Sequence, residues 1–222
     1  MSHPENRPLI FPPWVDSLRP WIGAALGLAP VYLLGLLYFG GSPVATDVGY
    51  QPAQPVPYSH ALHAGDLGID CRYCHTTVET SARASIPPTE VCMNCHTAIH
   101  PESEKLEVVR ESHRTGMPVP WIRVHDLPDY AYFNHGVHVS RGVGCVECHG
   151  RVDKMEEVYQ DQTLSMGWCL DCHRNPDVHL RPLDKITNMA WNMPAEAQSA
   201  IAADLRETLH IRPSEDCSTC HR

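Results

Sequence analysis

One pattern restricts this chain more than any other: Cys-x-x-Cys-His occurs five times in 222 residues. The pentads supply Cys71, Cys74 and His75; Cys92, Cys95 and His96; Cys145, Cys148 and His149; Cys169, Cys172 and His173; and Cys217, Cys220 and His221. Two thiols separated by two residues can add to the two vinyl groups of one haem. The histidine that follows binds the iron, so each pentad is a c-type haem attachment signature. All ten cysteines fall in the pentads, leaving none for a disulfide. A chain of this length that wraps five haems has little room for a protein-only core, and the rings must supply much of the buried apolar surface. Aromatics make up only 7% and prolines number 20, which fits a loop-rich wrapper better than a sheet or a regular bundle. The expected class is mainly α and irregular with short helices. A formal charge of −9 excludes nucleic acid as a partner.

Zinc is the competing reading of paired cysteines. Cys74 and Cys92 have 17 residues between them, and Cys148 and Cys169 have 20, which is zinc-ribbon spacing. An odd number of Cys-x-x-Cys pairs cannot all combine into four-thiolate sites, however. Zinc also gives no reason for a histidine after every second cysteine.

The pentads sit inside a repeat. Residues 58–75 read YSHALHAGDLGIDCRYCH and residues 133–149 read FNHGVHVSRGVGCVECH. Each begins with an aromatic, a small polar residue and His-x-x-His: His60 and His63 in the first, His135 and His138 in the second. A further pentad follows each, and a fifth follows the second copy. Five proximal iron ligands are expected: His75, His96, His149, His173 and His221. His100, His113, His179 and His210 are read as ordinary histidines.

The rest of the chain divides by composition. Residues 1–20 are proline-rich and read as a weakly structured cytoplasmic segment, with Arg7 and Arg19 against Glu5 and Asp16. Residues 21–41 carry no charge and are long enough to span a hydrocarbon layer of about 20 residues. Pro30 is tolerated in a membrane helix, and Trp14, Trp21, Tyr38 and Phe39 suit the interfaces. The span is too long for a signal-peptide core. Residues 42–57 form a proline-spaced linker. Haem module one occupies 58–116 and carries two pentads; module two occupies 117–222 and carries three. Helix starts are expected at Thr89 (as N-cap) and Pro194 (as N1), with Ala197, Ile201, Leu205 and Leu209 as the apolar stripe of the latter. Residues 102–115 are expected to form a solvated or partner-facing helix that ends at Gly116, and Ser214 to cap the last pentad.

The aromatic-x-His-x-x-His motif ahead of paired pentads resembles small multihaem cytochromes of the class III, c7-type kind. The resemblance implies distal ligands: His60 with His75, His63 with His96, His135 with His149 and His138 with His173. The family's third histidine would fall near residues 164–166, where this chain offers Met166 instead. Met166 is therefore expected to serve His221, with Met155 and His125 as the next candidates.

An N-terminal span, a two-haem YSHxxH module and a three-haem FNHxxH module containing SMGWCLDCHR together resemble the pentahaem cytochrome c subunits of alternative complex III, a bacterial quinol:electron-acceptor oxidoreductase. The stretches VHDLPDYAYFNH and SMGWCLDCHRNP carry that resemblance. It implies five haem c groups and no catalytic site in this chain alone. It implies partners in polytopic quinol subunits, an iron–sulfur subunit and a monohaem cytochrome c. Electrons would leave to a soluble cytochrome c, a high-potential iron–sulfur protein or an oxidase. The expected location is the bacterial inner membrane, single-pass, with the N-terminus cytoplasmic and the haem domain periplasmic. The alternative is a self-sufficient membrane-anchored quinol dehydrogenase of the NapC/NrfH kind feeding a periplasmic reductase. There the first haem follows the anchor closely, whereas about 30 residues separate Gly41 from Cys71 here.

Overall fold

The computed structural model describes residue 12 and residues 14–221. The readings placed on Glu5 and Arg7 lie outside the described residues. Residues up to Thr46 and residues from Asp47 onward form two separate units.

In the first unit, helix α1 runs Trp14–Gly41. It starts seven residues before the uncharged stretch, so residues 14–20 are helical rather than weakly structured. Asp16 and Arg19 pair at 3.1 Å across one turn, and the acidic Asp16 suits a helix's first turn. The helix continues through Pro20 and Pro30 and buries none of its described residues. Its 28 residues rise about 42 Å, and by length and composition it is long and apolar enough to cross a membrane. A 3₁₀ turn, Pro43–Thr46, follows.

The second unit is built from short helices and loops. A π-helical turn spans Ala61–Asp66. Helix α2 is Cys71–Cys74, α3 is Thr89–His96 and α4 is Glu107–Thr115. Helix α5 is His135–Ser140, α6 is Cys145–His149 and α7 is Met166–Arg174. Helix α8 is Ala195–Thr208 and α9 is Cys217–Cys220. Among the described residues the only β feature is one isolated antiparallel bridge, Val143 to Leu180. The mainly α and irregular class expected from the pentads is what the chain adopts.

Two small apolar clusters flank the pentads. Val56, Val109 and Val119 form one, with Cys92, Met93, Leu106 and Trp121 against it. This cluster completes the reading of residues 102–115, most of which are exposed as expected of a solvated helix. The helix is there, and Gly116 closes it in the left-handed region at φ 73°, where a side chain would be strained. Its apolar side, however, is turned inward onto α3 rather than to solvent or a partner.

Leu180, Ala202 and Ile211 form the second cluster, with Val143, Leu205 and Leu209. Here the buried face of α8 runs through Gln198 and Ala202, while Ala197 and Ile201 are only half-buried. Gln198 is buried because its amide donates to the carbonyls of Asp177 (2.6 Å) and Leu180 (2.7 Å). Two start signals shift by one position and the third by two. Pro88 and Pro194 occupy the N-cap positions of α3 and α8, in extended conformation. Asp216 precedes α9, and Ser214 Oγ accepts from the Asp216 N–H at 3.2 Å.

Candidate functional site

Each pentad is a helical turn, so its two thiols and its histidine leave one short segment together. Asp70 starts α2 by accepting from the Arg72 N–H at 2.8 Å. Ser165 starts α7 by accepting from the Trp168 N–H. Gly144 starts α6, and a Cβ there would collide with the Arg181 guanidinium.

The imidazoles are aligned in a consistent way. Seven of them place Nδ1 against a backbone carbonyl: His63 on Ser59 (2.8 Å), His75 on Ser85 (2.9 Å), His96 on Ile99 (2.9 Å), His135 on Val78 (3.0 Å), His138 on Asn134 (2.8 Å), His173 on Ser214 (2.6 Å) and His221 on Tyr130 (3.1 Å). A carbonyl only accepts, so Nδ1 carries the proton and Nε2 keeps its lone pair. That is the tautomer and the outer support of a metal-ligating histidine.

The spacing of the rings is the second test. Two metal–nitrogen bonds of about 2.0–2.1 Å and two half-rings put imidazole centroids about 6.3 Å apart across a bridging ion. His63 and His96 are 6.2 Å apart, His138 and His173 are 6.2 Å apart, and His135 and His149 are 6.4 Å apart. His60 lies beside His75: burial and then the His75 imidazole lower its pKa to about 4. Burial, followed by the neighbouring His125, His135, His75 and His60, lowers His149 to about 3. Both stay neutral and ligand-ready across the physiological range. His60 Nδ1 is buried with no partner in the protein.

The aromatics that open the repeats fix the second histidine of each. Tyr58 stacks on His63 at 4.5 Å and 22°, and Phe133 stacks on His138 at 4.6 Å and 30°. Burial, then the nearby thiols of pentads one and two, pushes the Tyr58 hydroxyl up.

The fifth pentad differs. Among the described rings His221 meets Tyr130, centroids 6.0 Å apart, and Tyr132 N–H donates to the Cys220 carbonyl at 2.6 Å. Met166 is the first residue of α7 and is 64% exposed. Cys169, one turn later, lies beside Cys220, whose thiol adds to burial in raising it. Met155 and His125 are placed elsewhere. Met155 is buried and its carbonyl accepts from Ala61. His125 sits edge-on to His149 at 4.5 Å, too close for an ion between them, with its Nε2 buried and unpartnered.

Sequence reasoning had no means to find the side-chain network next to pentad three. Glu147, inside that pentad, accepts from Arg181 at 2.5 Å and meets His179 Nδ1 at 2.7 Å. Arg181 is nearly fully buried and lies 5.2 Å over the Trp191 ring. The signal available was a Glu between two cysteines, with His179 and Arg181 32 and 34 residues further on, and nothing in a sequence joins those.

Residues 131–222 match the family model described as cytochrome c7 and related cytochrome c. Over 175 residues the chain is 29% identical to the multihaem cytochrome c subunit of menaquinone reductase from Nitratidesulfovibrio vulgaris, covering 68% of this chain and 83% of that one. Both likenesses are to multihaem c-type cytochromes, and covalently bound haem c is what they imply for the pentads.

Proposed function

We propose that this chain is a membrane-anchored electron-relay subunit carrying five haem c groups within a quinol-oxidising respiratory complex. The observation that carries the reading is the set of imidazole pairs at 6.2–6.4 Å with Nε2 left free. When bound, haem c supplies one-electron transfer, tuned by its axial ligands and burial.

The chain's own residues hold, orient and shield. Cys71/Cys74, Cys92/Cys95, Cys145/Cys148, Cys169/Cys172 and Cys217/Cys220 hold the groups covalently. His75, His96, His149, His173 and His221 are the proximal ligands. His60, His63, His135 and His138 are the distal ligands of the first four in turn. With two histidines offered to each of these four sites, a bound haem iron would have both of its protein ligands supplied by this chain and no position left for a substrate, which favours relay over conversion. Met166 is the distal ligand proposed for the fifth site. A thioether there raises the potential relative to two imidazoles, making that site the most oxidising.

Helix α1 is proposed to anchor the chain in the bacterial inner membrane, N-terminus cytoplasmic, with the haem domain in the periplasm, where haem is attached. The proposed partners are polytopic quinol subunits, an iron–sulfur subunit and a monohaem cytochrome c. A cytochrome c, a high-potential iron–sulfur protein or an oxidase would take the electrons. The relative named for menaquinone reductase supports a quinone-linked complex and favours the opposite direction of flow as the second reading.

The test is purification from native membrane with the partners identified by mass spectrometry. Quinol-dependent reduction of an added cytochrome c supports the proposal. Menaquinone-analogue reduction without the converse supports the second reading. A lone subunit with quinol dehydrogenase activity contradicts both.

A further inference from the structure

The two repeats are packed against each other through equivalent residues. In sequence, Ala61 corresponds to Gly136, Cys71 to Cys145, and Ser81 to Met155, the sixth residue after His75 and after His149 respectively. The Gly136 N–H donates to the Ser81 carbonyl at 2.8 Å, and the Ala61 N–H donates to the Met155 carbonyl at 3.0 Å. Each His-x-x-His turn is therefore held by the other repeat, at matching positions. The Cys71 and Cys145 side chains, equivalent to one another, lie side by side. Thr187 Oγ1 donates to Asp70 at 2.9 Å while Cys145 N–H donates to the neighbouring Ile186 carbonyl, tying the same two pentads together a second time.

A contact in which position i of one copy meets position j of the other, while j of the first meets i of the second, is isologous, the arrangement of a twofold dimer. It is head to head. It puts pentads one and three in the middle and sends pentads two and four outward. The remaining links agree. Asn94 of pentad two donates to the Tyr73 hydroxyl of pentad one at 3.2 Å. Helix α5 presents His135 to pentad three and His138 to pentad four from a single turn. Pentad four joins pentad five through His173 on the Ser214 carbonyl (2.6 Å) and Arg174 on Glu215 (2.8 Å). Polypeptide cover follows the same order, with Cys95 and Cys217 exposed and the other eight cysteines half-buried.

We propose that the five sites form one series in the order two, one, three, four, five, joined across the repeats at Cys71 and Cys145, with sites two and five at its ends. The order along the chain would instead put site one at an end. The proposal rests on reading the pentads as haem sites. One-electron exchange runs between neighbours, one site oxidised as the next is reduced, with no bond made or broken.

The test uses the full-length holoprotein and two variants, His60→Met and His63→Met. Each keeps six-coordination and raises the potential of one site, so that site is reduced ahead of the other histidine-paired sites; site five, reduced with it, neighbours neither site one nor site two in either order. Reduction removes its spin, and low-temperature EPR then shows which oxidised haems were coupled to it. In the proposed order, reducing site one in His60→Met changes the signals of two other haems, and reducing site two in His63→Met changes one. The reverse pattern, one for His60→Met and two for His63→Met, overturns the order. Either variant decides alone if the other fails to load. Haem counting by mass on the wild type is independent: fewer than five haems sinks the haem reading, whereas five haems with the reverse pattern sinks only the order.

Discussion

The two His-x-x-His turns are copies of one device on different backbones. Ser59 Oγ accepts from Leu62 N–H at 3.0 Å, and Asn134 Oδ1 accepts from Val137 N–H at 3.1 Å. His63 and His138 both donate to the carbonyl of that same capping residue. Yet the first turn is π-helical and the second is an α-helix. The first also carries Gly65 where the second has Ser140. A Cβ on Gly65 would run into the Asp153 backbone carbonyl, so the wider turn lies flat against the other repeat. The shared histidines and caps serve ligation, and the shared backbone bonds join the copies; the Gly65/Ser140 difference adjusts how closely each turn packs on the other repeat.

The largest effect should fall on the common part. His63→Ala and His138→Ala should each convert one low-spin haem of the five to high-spin, read as a new ferric high-spin EPR signal. A high-spin signal in one variant alone would mean that the copies are not equivalent.

Next comes the part that differs. Gly65→Ala should cost about 1–3 kcal/mol, because the collision is with backbone that has nowhere to go. Ser140→Ala, half-buried and bonded only to the Val137 carbonyl of its own turn, should stay within about 0.5 kcal/mol. Denaturant unfolding of the holoprotein compares them, and equal losses would remove the packing argument.

The caps are smaller. Asn134→Ala should cost about 1 kcal/mol and Ser59→Ala about the same or less, since each removes one side-chain bond to a turn amide. A thermal scan of both variants would show whether the π-turn depends on its cap as the α-helix does.

The smallest effect is in acid. Hydrogen bonds from Arg72, against some burial, lower Asp70 to about 2. A carboxylate with a depressed folded pKa contributes stability above its unfolded value near 4, and that contribution is lost as pH falls toward 2. The Asp70 side chain is 42% exposed, so screening limits the contribution to about 1 kcal/mol or less. Asp70→Asn should flatten stability between about pH 4 and pH 2. Gly144, its counterpart before pentad three, carries no such group.

The pentads and the paired histidines were legible because ligation demands fixed local spacing, and the same spacing makes each pentad a helical turn. The helix after residue 106 and its stop were legible from helix propensity and from the glycine itself, which the fold places at φ 73°. The face it buries was not, because Val109 finds Val56 and Val119 only after the chain has folded back. Nor was the exchange of carbonyls between repeats: Ser81 and Met155 look like loop residues, and their role lies in backbone oxygens that any side chain carries. His125 had a chemistry but no address in sequence; folding puts it beside His149 rather than His221. Met166 has an address, one turn before Cys169, and its ligation stands as a proposal.

The most direct measurement is the EPR spectrum of the oxidised full-length holoprotein, taken with its haem content by mass. The account predicts five haems per chain, all low-spin. Fewer haems, or a high-spin ferric signal from any of them, would contradict it.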